Sequence, residues 1–93
     1  MSEPATGEMP PPAVAKSPTA FEVMRVWAEP NTEQHFVIRT TWDDPGAWGI
    51  LLADVAREAA KAYAAQGHVE KEALRRIIAL LNAELISPTG SAS

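Results

Sequence analysis

Between Ala20 and Leu85 the chain runs through two short β-branched and aromatic segments, an Asp-Pro-Gly stop, and two Ala/Leu-rich segments of helical period. Each element carries an apolar side that must be hidden, and few arrangements can hide all of them. Phe21–Ala28 (FEVMRVWA) and His35–Trp42 (HFVIRTTW) have the residue types that strands favour. Pro30-Asn31-Thr32-Glu33 lies between them and carries turn chemistry, because Pro presets φ and Asn tolerates unusual backbone geometry. The two runs are therefore predicted to form an antiparallel hairpin.

The apolar pattern also suggests a register. Setting Trp27 opposite Phe36 places Arg25 opposite Ile38, Val23 opposite Thr40 and Phe21 opposite Trp42. One face then collects Phe21, Val23, Trp27, Phe36, Ile38 and Trp42. The other holds Glu22, Met24, Val26 and Ala28 with His35, Val37, Arg39 and Thr41. A slip of one residue scatters the aromatics over both faces, which register selection penalises. Arg25 is discordant on the aromatic face, where its stem packs and its guanidinium reaches the edge or a carboxylate.

After the hairpin, Asp44 fits a helix N-cap and Pro45 the first helical position, where a missing N–H costs nothing. Apolar residues then recur at helical spacing: Trp48, Leu51, Leu52, Val55, Ala59, Ala62 and Tyr63. Ala53, Ala56, Ala60 and Ala64 flank that stripe and allow another helix to approach closely. Gly67 fits the position just past the helix end. A second helix is predicted over Glu70–Leu85, with its stripe at Leu74, Ile77, Ile78, Leu81 and Leu85. The short turn around Gly67-His68 makes the two helices antiparallel neighbours. The expected fold class is α+β in the order ββαα, with the helices covering the aromatic sheet face and a dimer formed through the hairpin.

Residues 1–18 are rich in proline and lack a coherent apolar face, so they read as a disordered tail. Residues 19–87 form the single small domain, and 88–93 fray. So small a domain is near the limit at which one core supplies about 3–5 kcal/mol. With no cysteine and two histidines among 93 residues, neither disulfides nor a structural zinc site offers a staple. Oligomerisation is the remaining common device.

A formal net charge of −4 argues against a phosphate backbone as the main ligand. Arg75 and Arg76 share their helix with Glu70, Glu72 and Glu84, a mixture that reads as a solvated face. No charged n-region precedes an apolar segment, and no apolar run approaches membrane-spanning length. The expectation is a soluble cytoplasmic protein without nucleic-acid or membrane partners.

Chemistry is sparse. Asp43 and Asp44 are adjacent acids, but capping accounts for Asp44, and Asp43 faces water. His35 and His68 lack metal-ligand spacing to other donors. Nucleophile elbows and phosphate loops are absent. Trp27, Trp42 and Trp48 suit either a stacking platform or a filled core, and the core reading is preferred. No catalytic, metal or cofactor-binding residues are identified, and no cofactor is implied.

The segment Trp42–Ala56 (WDDPGAWGILLADVA), with the preceding hairpin, resembles a family of short α-proteobacterial proteins catalogued only as a domain of unknown function. The resemblance spans about Phe21–Leu85. It implies a bacterial cytoplasmic setting and carries no activity, cofactor or functional residue.

The leading functional expectation is a non-enzymatic interaction or structural module, paired with itself or with another protein. Two strands alone are marginal and leave two open edges. A homodimer could join hairpins edge to edge, or bury a face formed by Met24, Val26, Val37 and Arg39. The alternative is a small anionic-metabolite-binding protein or minor enzyme. Its pocket would lie near the strand-to-helix turn among Arg25, Trp42, Trp48, Asp43 and Asp44. The Pro-rich tail reads either as a solubilising leader or as a polyproline recognition segment.

Overall fold

A computed structural model describes residues 7–89 of the chain. Its strands are β1, Met24–Trp27, and β2, His35–Ile38, paired antiparallel in one two-stranded sheet. Pro30 and Asn31 are the central residues of the connecting turn, which closes with Thr32 N–H donating to Glu29 O at 3.2 Å. Asn31 takes φ 67°, a conformation its short polar side chain tolerates. The expected hairpin and its Pro-Asn turn are both present.

The register differs by one residue from the expected one. Met24 faces Ile38, Arg25 faces Val37, Val26 faces Phe36, and Trp27 faces His35. Alternation along the strands then gathers Met24, Val26, Phe36 and Ile38 on one side and Arg25, Trp27, His35 and Val37 on the other. The sorting is cleaner than the aromatic-face register achieves. The charged and ring-nitrogen side chains leave the apolar side, and Arg25 is no longer out of place. Met24 and Val26 therefore share a face with Phe36 and Ile38, not with Val37 and Arg39 as expected.

The helices are α1, Gly46–Ala65, and α2, Glu70–Ile86. Pro45 is already helical at φ −56° and ψ −22°, and the Asp44 carboxylate accepts the Gly46 N–H at 2.8 Å. Asp44 is thus the working cap, as expected. At the far end Gly67 N–H donates to Ala64 O at 3.0 Å and His68 N–H to Tyr63 O at 3.1 Å. This is a Schellman ending, with Gly67 at φ 101° and the Tyr63 and His68 rings in edge contact at 5.1 Å.

α1 and α2 pack on one another, but the backbone of neither lies close against β1 or β2. The ββαα order stands, while the expected helical cover over the sheet does not form within one chain. Ala56 and Ala60 are the buried seam, at 8% and 1% exposure. That seam is rotated by roughly a quarter turn from the large apolar stripe, at about 100° per residue. Small side chains let the helix axes approach, so α2 settles on the alanine side. Leu52, Val55, Ile78, Leu81 and Leu85 stay exposed.

Residues 7–18 include a 3-10 turn at Ala13–Lys16. A Cβ added at Gly7 would stand 3.5 Å from the Trp27 ring, so this segment folds back to β1. The expected mobile tails fall partly on residues 1–6 and 90–93, which lie outside the described residues.

Candidate functional site

The junction between β2 and α1 is held by several hydrogen bonds. Trp42 N–H and the Trp48 indole N–H both donate to the Thr40 carbonyl, at 2.6 and 2.8 Å. Thr41 between them takes φ 65°, and its hydroxyl donates to Arg39 O at 2.9 Å. A β-branched residue at positive φ is a steric outlier that persists when its neighbours over-determine it. The Trp42 and Trp48 rings meet edge to face, 6.1 Å between centroids. Nothing in the sequence signals this turn, because threonine opposes the conformation it adopts there.

Of the expected ligand-binding group, the structure brings Trp42 and Trp48 together and sets Asp44 beside them as the cap. Asp43 is exposed at the same turn. Arg25 is engaged elsewhere. Its guanidinium donates through Nε to Glu22 Oε2 at 3.2 Å and through a terminal nitrogen to Glu22 Oε1. The bond from Arg25 holds the Glu22 carboxyl below its ordinary range, and Glu22 in turn raises Arg25. Both groups are exposed, so the pair is a modest local contact.

Two of the clefts among the described residues stand out. The larger, about 920 Å³, lies between residues 7–15 and the β1 side of the hairpin, with Arg25 and Trp27 in its wall. The smaller, about 450 Å³, lies at the helix turn beside Tyr63, His68 and Arg76. Neither is lined by Trp42, Trp48, Asp43 or Asp44. Among the described residues no group of three or more His, Cys, Asp or Glu is placed to hold a metal ion. No helix of the described residues is long and apolar enough to cross a membrane.

The helix surfaces carry local ion pairs: Arg57–Asp54 at 2.9 Å, Lys61–Glu58 at 3.0 Å and Arg75–Glu72 at 3.0 Å. Arg75 thus lies on the solvated face expected of it. The expected interface residues divide between the two sheet faces, Met24 and Val26 on the apolar one, Val37 on the other. The Arg39 guanidinium rests over the Phe21 ring, 5.3 Å from its centroid.

The most conspicuous surface is the apolar sheet face, which no part of the same chain's helices covers. Phe36 is 60% and Ile38 54% exposed. The alternation of the strands made such a face readable, but its true membership depended on the register.

Comparison with known proteins agrees with the resemblance to a domain of unknown function. The family model described as Domain of unknown function (DUF5076) matches residues 8–89, and the chain belongs to that family. A solved structure from the photosynthetic bacterium Rhodopseudomonas palustrus CGA009, named as that of a "putative pyruvate dehydrogenase", is 37% identical. The match covers 100% of this chain and 95% of that one, with a TM-score of 0.72. No curated protein matches the chain.

Proposed function

We propose that this member of the DUF5076 family is a non-enzymatic interaction or structural module that works as a homodimer in the bacterial cytoplasm. The observation that carries this reading is the apolar surface left open on both halves of the chain. On the sheet Val26, Phe36 and Ile38, and on the helices Leu52, Val55, Ile78, Leu81 and Leu85, stay exposed within one copy, while Met24 beside them is half-buried. Such faces mark interaction sites when they are contiguous.

The activity in the name of the Rhodopseudomonas relative gains little support from this chain. Oxidising a 2-oxo acid calls for an enclosed site where a carbanion is stabilised. Among the described residues only Ala56 and Ala60 are buried.

Sedimentation equilibrium at micromolar concentration tests the proposal. The expected species has twice the 10.0 kDa chain mass. A single component of 10.0 kDa up to about 100 μM would remove the reading, since the core of one copy is too small to stand alone.

A further inference from the structure

We infer that the outer edge of β2 pairs antiparallel with the same edge of a second copy, in a register that sets Phe36 opposite Phe36 and Glu33 opposite Arg39. The inference rests on the homodimer reading and names its interface. A two-stranded sheet has two edges, and here they differ. Residues 7–15 flank β1, forming the larger cleft with it. Every residue of β2 is exposed. The free edge is therefore β2.

The direction of the backbone groups follows from the ladder. Arg39 N–H donates to Val23 O at 2.8 Å, so residues 35, 37 and 39 turn their backbone groups toward β1. Gln34, Phe36 and Ile38 turn theirs outward. Thr40 belongs to the same outward row, but its carbonyl already accepts from Trp42 and Trp48. An unpaired row of this kind is a template for another strand.

Two-fold symmetry about an axis through the sheet restricts the pairing to registers centred on one residue. Centring on His35 pushes the pairing into Asn31, which sits at φ 67° in the turn and is not extended. Centring on Val37 sets His35 opposite Arg39 and calls on the occupied Thr40 carbonyl. Centring on Phe36 pairs Gln34, Phe36 and Ile38 with Ile38, Phe36 and Gln34 of the second copy, and leaves Thr40 alone. It also sets Glu33 of each copy opposite Arg39 of the other, on the face away from Phe36. Neither Glu33 nor Arg39 has an ion-pair partner among the described residues. The apolar faces of the two hairpins then run on without a break across four strands.

Charge reversal tests the register. Glu33→Arg alone brings Arg against Arg39 at both ends of the interface, and Arg39→Glu alone brings Glu against Glu33. Each is expected to weaken self-association by about tenfold or more, since like charges directly opposite are destabilising. An equimolar mixture of the two single variants restores both attractive contacts, so a heterodimer of wild-type affinity should form, readable by native mass spectrometry. The double variant Glu33→Arg/Arg39→Glu should again form a homodimer, which also reports that both substitutions are compatible with folding. If the wild type dimerises but the single variants do so equally well, or their mixture gains nothing, this edge and register are wrong while the homodimer stands. A monomeric wild type overturns both.

Discussion

The Trp48 indole N–H donates to the Thr40 carbonyl at 2.8 Å, and among the described residues it is the one side-chain hydrogen bond joining the hairpin to the helices. With neither helix packed on the sheet, this bond and the Trp42–Trp48 edge contact fix how the two halves meet. Replacing Trp48 by Phe keeps a ring against Trp42 and removes the donor. The expected loss is about 0.5–1 kcal/mol, because Thr40 is exposed and water takes the donor's place. A urea midpoint unchanged at fixed protein concentration would show that the bond contributes nothing.

Thr41 holds φ 65° against its own preference. Asn adopts that region with less strain, so Thr41→Asn should stabilise the chain by about 0.5–1 kcal/mol after loss of the hydroxyl bond to Arg39 O. For a domain of this size that is a rise in melting temperature of about 2–8 °C. A lower melting temperature would mean that the hydroxyl bond outweighs the strain.

Gly67 ends α1 at φ 101°, with nothing within 4 Å of an added Cβ. The cost of Gly67→Ala is therefore conformational and should be about 1–2 kcal/mol, with Gly67→Asn costing less. Urea unfolding of the two variants checks the order. Equal losses would point to a packing cause instead.

Ala60 is 1% exposed at the seam between α1 and α2. Leucine there has no room unless the helices part, so Ala60→Leu should cost about 1–3 kcal/mol. Lys71→Ala, at an exposed position on α2, serves as the comparison in a urea denaturation series. A harmless Ala60→Leu would place the helix contact elsewhere.

Glu22 titrates below its ordinary value of 4.5 because Arg25 donates to its carboxylate. The sign follows from linkage: the pair contributes above the ordinary value and is lost as pH falls through it toward the lowered one. Carbon-detected NMR titration should find the Glu22 midpoint below 4.5, and Arg25→Ala should return it toward that value. A midpoint indifferent to that substitution would mean the pair is not formed in solution.

What was legible in the chain is what local chemistry decides. Asp44-Pro45 opens α1 because a carboxylate can accept an orphan N–H and proline needs none. Gly67 closes it because a left-handed residue follows the last turn at little cost. Pro30-Asn31 turns the hairpin for similar reasons. The candidate site was legible only in part: Trp42, Trp48 and Asp44 do gather at one turn, whereas the Arg25 placed with them pairs with its near neighbour Glu22.

Register and cover were decided by tertiary structure. Trp27 and Phe36 are both large and apolar, so hydrophobicity alone favoured facing them. The turn and the placement of Arg25, His35 and Arg39 instead favour a shift of one residue, which reverses the face of half the residues. Periodicity likewise located the apolar stripe of α1 but not its use, since α2 packs on the alanines beside it. A sequence states which surfaces must leave water. Which surface meets which depends on contacts between residues far apart along the chain, and local preference does not encode them.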